Sequence, residues 1–193
     1  MMLEFLLAGL WGYLLGAIPT GVIVTRVLLG VDVREQGSRH TGGTNVARVA
    51  GRWGGLLTVA CDILLGAAAV GGAKLLTTNP WAATVAGVLA IVGHDWSVFI
   101  GFEGGIGLAD LAGAMLAFDW LRALGSGGTF ILLWLFLTKV LHRHRARATI
   151  FGMLIFALVL WALGMSLPGI VLGALGAAVV IVKTLPDWNR VYP

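Results

Sequence analysis

Seven runs of apolar residues divide the chain, separated by shorter polar stretches. They are Leu3–Leu29, Gly54–Leu76, Trp81–Ile100, Leu108–Leu124, Thr129–Leu141, Thr149–Met165 and Gly169–Thr184. A helix needs about 20 mostly apolar residues to cross a hydrocarbon core, and several runs are that long. The pattern predicts an all-α, polytopic membrane protein with about seven transmembrane helices. The fourth and fifth runs are half-length or broken: "GSGG" at Gly125–Gly128 punctuates them, with Asp119 and Arg122 close by. Taking the pair as one long kinked span gives six helices instead. No internal repeat is visible, and residues 1–193 read as a single integral membrane domain.

Composition strengthens the membrane assignment. The chain is 59% hydrophobic and 11% charged, whereas a soluble domain is about one-quarter charged. The 29 glycines suit helices that pack closely in lipid. A single cysteine, Cys61, excludes an intrachain disulfide and reads as a small packing residue. Met1–Gly30 has the length of a signal peptide, but it opens with Glu4 rather than a basic region. It is therefore expected to stay as a helix.

The basic residues choose an orientation. With the N-terminus outside and the C-terminus in the cytoplasm, 11 of the 13 Lys and Arg residues face the cytoplasm, leaving Lys74 and Arg122 outside. That bias follows the positive-inside rule and also favours seven helices over six, which would place Arg143–Arg147 outside. It explains the net charge of +4 without nucleic acid as a partner.

Two polar stretches carry candidate chemistry. The first, Val31–Arg52, reads as a cytoplasmic loop in which Gly37, Gly42 and Gly43 let the backbone curl. Ser38, Thr41, Thr44 and Asn45 offer hydroxyl and amide groups, and Arg39 and Arg48 offer fixed charge. Such a loop can hold an anion through backbone N–H groups and a forked guanidinium. It can equally be a solvated basic loop that orients the protein. The second stretch runs from "GHDWS" at Gly93–Ser97 into "GFEGGIGLAD" at Gly101–Asp110. Ionisable groups at membrane depth are costly and tend to line cavities or pair with one another. His94, Asp95 and Asp62 therefore read either as site residues or as helix-packing groups. Asp119 and Arg122, at i,i+3, fit a simple surface pair. "HRHRAR" at His142–Arg147 lacks metal-ligand spacing and fits a basic loop against anionic lipid.

Together these stretches resemble the bacterial acyl-phosphate:glycerol-3-phosphate acyltransferases, the PlsY family. The family's first motif is roughly G-S-G-N-x-G-A-T-N-x-x-R. Gly37, Ser38, Gly42, Thr44, Asn45 and Arg48 match it in register, with "VDVR" preceding. The second is roughly G-H-x-x-P-x-F-x-x-F-K-G-G-K-G-V-A-T, matched by Gly93, His94, Phe99, Phe102, Gly104, Gly105 and Gly107. Asp62 and Gly66 fit a D-x-x-K-G element. The resemblance covers the whole chain and implies an active site at the cytoplasmic face of a bacterial inner membrane. The implied reaction moves an acyl chain from acyl phosphate to the 1-hydroxyl of glycerol 3-phosphate, giving lysophosphatidic acid without metal, coenzyme A or other cofactor. It makes Ser38 and His94 the catalytic candidates. Gly37, Arg39, Gly42, Thr44, Asn45, Arg48, Gly104, Gly105 and Gly107 become the candidate substrate-binding positions. Membrane lipid and a second family member are the further partners it suggests.

The departures from the motifs concern charge. Both lysines of F-K-G-G-K-G are replaced, by Glu103 and Ile106, and that of D-x-x-K-G by Leu65. Ser97 stands for proline, Asp110 for threonine, Arg39 for glycine and His40 for asparagine. Near the C-terminus, Asp187 aligns with an asparagine of the family's H-R-E-N-like stretch. A charge pair at ~4 Å is worth about 4 kcal/mol at an effective dielectric of about 20, before solvent screening. The losses therefore predict weak or no turnover. Two functions stay open: an acyltransferase, or a non-catalytic paralogue that binds lipid or a partner.

Overall fold

Pro19 breaks the first apolar run, because its ring removes an amide donor from the helical ladder. The result is α1 (Met2–Gly16) and α2 (Thr20–Leu29), not one uninterrupted helix. The computed structural model describes residues 2–190, and every regular element among them is helical. The remaining helices are α3 (Gly43–Leu76), α4 (Pro80–Asp95), α5 (Leu108–Phe118), α6 (Trp120–Leu135), α7 (Arg145–Leu154), α8 (Phe156–Ala162) and α9 (Leu167–Thr184).

Among the described residues, five helical segments, the first of them α1 with α2, are long and apolar enough to cross a membrane. They are Met2–Leu29, Gly43–Leu76, Pro80–Ile100, Trp120–Val140 and Leu167–Asp187. The pair α7 and α8, bent by 42°, makes a sixth if counted as one span. The expected fourth span is α5, apolar but only 11 residues long. The fifth run departs from expectation. Helix α6 passes unbroken through Gly125–Gly128, and the chain breaks earlier, at Asp119. The Asp119 carboxylate accepts from the Arg122 backbone N–H at 3.2 Å and pairs with its guanidinium at 2.7 Å. A side-chain cap starts the helix there, and the glycines are absorbed inside it.

Helix α3 also begins earlier than the apolar pattern indicates. Residues 43–50 are helical, so Thr44, Asn45 and Arg48 sit on helix rather than in a loop. Gly51, at φ 77°, then redirects the chain into the apolar part. The polar leading turns gave no apolar run to find. Val46 anchors them, buried against Val22 and Val33.

The core forms where α1 packs on α4 and α3 on α5. The second contact is unusually close. A Cβ at Gly66 would overlap the Asp110 backbone, and one at Gly113 would overlap that of Ile63. Small residues let two helices approach this way, and the approach brings Asp62 of α3 beside Asp110 of α5. Ile91, Leu111, Met115 and Leu172 fill the adjoining core, while Leu75, Leu132 and Leu158 face outward.

Candidate functional site

Asn45 organises the first polar stretch from within. Its side-chain oxygen accepts from the Ser38 N–H at 2.9 Å. Its amide nitrogen lies 3.2, 3.0 and 3.0 Å from the carbonyls of Val33, Gln36 and His40. A Cβ on Gly37, at φ 51°, would press on that oxygen. These contacts engage both ends of the Asn45 amide, which makes it the staple that shapes the loop around Ser38. Ahead of it, Asp32 pairs with Arg34 at 2.8 Å and Arg26 at 2.9 Å. The Arg34 guanidinium, by hydrogen bond and charge, holds the Asp32 carboxyl well below the usual carboxylate range despite partial burial. Arg34 also reaches the Ile100 carbonyl at 2.9 Å and Glu103 at 3.4 Å, tying the first stretch to the second.

The second stretch turns back on its own helix end. The Gly105 N–H donates to the His94 carbonyl at 3.1 Å. Any side chain at Gly105 would overlap His94 Nε2, and one at Gly104 would overlap the His94 carbonyl. The two glycines thus let the loop lie flat on the histidine. On its other side, His94 Nδ1 is 2.8 Å from Asp110 Oδ2 and 3.9 Å from Asp62 Oδ1. The Thr20 hydroxyl donates to Asp62, so the break at Pro19 also serves this cluster. Asp62, His94 and Asp110 are all buried. The i,i+3 pair Asp119–Arg122 lies apart from them, as an ordinary helix cap.

Two cavities meet at these elements. One is an open cleft of ≈ 660 Å³ that carries Arg34, Arg39, His40, Lys183 and Arg190 among its lining, with Asp32, Glu35 and Glu103. The other, of ≈ 290 Å³, has Val59, Ile106, Leu108, Phe130 and Trp134 among its walls, with Asp62 and His94 also lining it. Ser38 and His40 line both cavities.

The predicted site residues are distributed accordingly. Arg39 and Gly104 line the cleft. Gly42, Thr44, Asn45, Arg48, His94 and Gly107 line the narrower cavity, and Ser38 lies at the junction. Gly37 and Gly105 act from behind, against Asn45 and His94. Several contributors lie outside the two motifs. Lys183, near the end of α9, donates to the Asp95 carbonyl and sits 4.9 Å from the Trp96 ring centroid. A lysine closing an otherwise apolar run is a signal in the sequence that could have singled it out. His40 Nε2 lies 2.6 Å from Asp187 Oδ2 across 147 positions of sequence. That pairing had no local signal. The "HRHRAR" stretch packs on the C-terminal segment: Arg147 lies 5.3 Å from the Trp188 ring centroid and also bonds Asn189, and His144 Nε2 lies 3.0 Å from the Arg190 carbonyl.

Comparison with known proteins agrees with this geometry. The family profile described as glycerol-3-phosphate acyltransferase matches residues 6–192. A glycerol-3-phosphate acyltransferase of Synechococcus sp. (strain JA-3-3Ab) is 40% identical over 93% of this chain and 85% of its own length. That of Rubrobacter xylanophilus (strain DSM 9941 / JCM 11954 / NBRC 16129 / PRD-1) is 38% identical over 93% and 87%. The crystal structure of PlsY (YgiH), an integral membrane glycerol 3-phosphate acyltransferase, in its glycerol 3-phosphate form superposes with a TM-score of 0.82 at 30% identity. That match covers 96% of this chain and 90% of the other. Its lysophosphatidic acid form gives 0.81 at 29% identity. By sequence along nearly its whole length and by fold, this integral membrane chain belongs to the glycerol-3-phosphate acyltransferase family.

Proposed function

We propose that the chain transfers an acyl group from acyl phosphate to the 1-hydroxyl of glycerol 3-phosphate. The observation that carries this reading is the junction at Ser38 and His40 between a cationic cleft and a largely apolar cavity. The two substrates have those opposite characters. Arg34, Arg39, Lys183 and Arg190 give the cleft its affinity for the phosphate of glycerol 3-phosphate. Phe130, Trp134, Ile106 and Leu108 receive the start of the acyl chain. Ser38 then lies where the hydroxyl and the acyl carbon meet, with His94 in the wall beside it. The hydroxyl oxygen bonds to the acyl carbon, the bond from that carbon to the phosphate oxygen breaks, and the proton leaves on inorganic phosphate. Acyl phosphate is already activated, so orientation and charge stabilisation suffice to accelerate the step.

The cleft answers the loss of the motif lysines. Arg34 and Arg39 of the first polar stretch and Lys183 and Arg190 from the C-terminal end line its walls, so cations are present without those lysines. This favours the enzyme over the non-catalytic paralogue. We place the whole chain, 1–193, as one unit in a bacterial inner membrane, with the N-terminus outside and the C-terminus in the cytoplasm. Purified protein in lipid, given acyl phosphate and glycerol 3-phosphate, is expected to release phosphate and form lysophosphatidic acid with saturation in both substrates. Folded, inserted protein that binds lipid and yields no product would support the paralogue instead.

A further inference from the structure

We propose that His40 is the general base of the transfer, with Asp187 as the residue that positions it. This deepens the acyltransferase reading and rests on it. A hydroxyl attacks a carbonyl carbon faster when a side chain takes its proton in the transition state, and histidine serves most often. Such a base must stand where the hydroxyl meets the acyl carbon, with one ring nitrogen held and the other open. His40 meets these conditions and His94 does not.

His40 lines both the cationic cleft and the apolar cavity, as Ser38 does. Its side chain keeps 18% of its surface exposed, while that of Asp187 keeps 5%. His40 Nε2 lies 2.6 Å from Asp187 Oδ2, and among the described residues no other hydrogen bond reaches the ring. Arg190 approaches the other oxygen, Oδ1, at 3.5 Å, which leaves Oδ2 to the imidazole. An ionised Asp187 selects the tautomer with its proton on Nε2 and a lone pair on Nδ1, and stabilises the imidazolium once formed. The backbone is fixed as well. The Asn45 amide accepts from the Ser38 N–H at 2.9 Å and donates to the His40 carbonyl at 3.0 Å, so one side chain sets both residues. His94, by contrast, has both nitrogens covered. Its Nδ1 faces Asp110 at 2.8 Å, and the Gly105 backbone lies against Nε2.

In the step, the 1-hydroxyl proton moves to His40 Nδ1 as the hydroxyl oxygen bonds to the acyl carbon. The bond from that carbon to the phosphate oxygen breaks, and its electron pair leaves on the phosphate. The imidazolium returns the proton to that oxygen, inorganic phosphate departs, and His40 is neutral again. Other charged groups surround the ring. Arg34, Arg39, Lys183 and Arg190 share the cleft with Asp32, Glu35 and Glu103. Arg48, Asp62, His94, His144 and Arg145 line the cavity side. Any of these bears on the charge of the imidazole, so a pH effect is assigned by substitution rather than by its position.

The test is the pH dependence of kcat, and of KM for glycerol 3-phosphate, in full-length protein in lipid. Wild-type kcat should rise with pH as the base gives up its proton, and then level off. His40→Gln should lower kcat by about 100-fold or more and abolish the rise, with a much smaller change in KM. Asp187→Asn should lower kcat by a smaller factor and keep the rise, because the imidazole remains. His144→Gln should keep the rise too. A flat wild-type kcat profile overturns the proposal without any variant. So does a folded His40→Gln protein in which KM rises and kcat holds, which would make His40 a phosphate-binding cation. Turnover with the pH rise intact in His40→Gln overturns this inference alone, whereas absence of wild-type turnover overturns the acyltransferase reading as well.

Discussion

Arg39 shows how one position serves two competing demands. It holds φ at 65°, a left-handed conformation that costs an L-residue about 1–2 kcal/mol and costs glycine little. The family motif has glycine there, and here the arginine accepts the strain while its guanidinium lines the cleft. Arg39→Gly should therefore raise thermal stability by about 1 kcal/mol, read as a higher melting temperature in detergent. The same change should raise the KM for glycerol 3-phosphate. A variant that gained stability with unchanged KM would show that Arg39 does not contact the substrate. At this scale the sequence was informative about identity and silent about conformation. Glycine at the family position is the only hint that Arg39 is strained.

The elements explain what the sequence could and could not reveal. Apolar runs located α4 and α9 well, because lipid imposes long uninterrupted hydrophobicity on spanning helices. The runs missed the polar start of α3 and misplaced the break before α6, since a cap at Asp119 outweighs four small residues further on. The site is harder to read than the helices because it is assembled between elements. In the motif alignment read from the sequence, His40 and Asp187 each stand where the family pattern has asparagine, and taken singly each looks like a loss. In space they are one pair, 2.6 Å apart, joining the first polar stretch to the end of α9. A double-mutant cycle with His40→Asn and Asp187→Asn measures that link. We expect each single change to lower stability and turnover, the double change to recover part of the loss, and a coupling of about 0.5–3 kcal/mol. Strict additivity would mean that the contact carries no energy.

At the scale of the molecule, orientation and charge placement decide the function. The 11-to-2 distribution of Lys and Arg predicts that Thr78 faces outward and Arg143 inward. Single cysteines at these positions, in a Cys61→Ala background, should react from the outer and the cytoplasmic side respectively. Labelling of Thr78→Cys only from the cytoplasm would invert the protein and place the cationic cleft on the wrong side for a soluble phosphate ester. Counting charge within the two glycine-rich stretches alone suggested an eroded site. Folding adds Lys183 and Arg190 from the C-terminal end to Arg34 and Arg39 of the first. The fold class was therefore readable from hydropathy, and the motif positions from spacing. The charges of Lys183 and Arg190 were not, because they lie 146 and 153 positions from Gly37.

The central claim is that the cleft binds phosphate with cations drawn from outside those glycine stretches. The KM for glycerol 3-phosphate in Lys183→Met protein tests it most directly, with Glu103→Lys added back in the same chain. Losing a charged contact to the substrate should raise KM roughly tenfold or more, and restoring a lysine at position 103 should recover part of that loss. An unchanged KM in folded Lys183→Met protein would contradict the account.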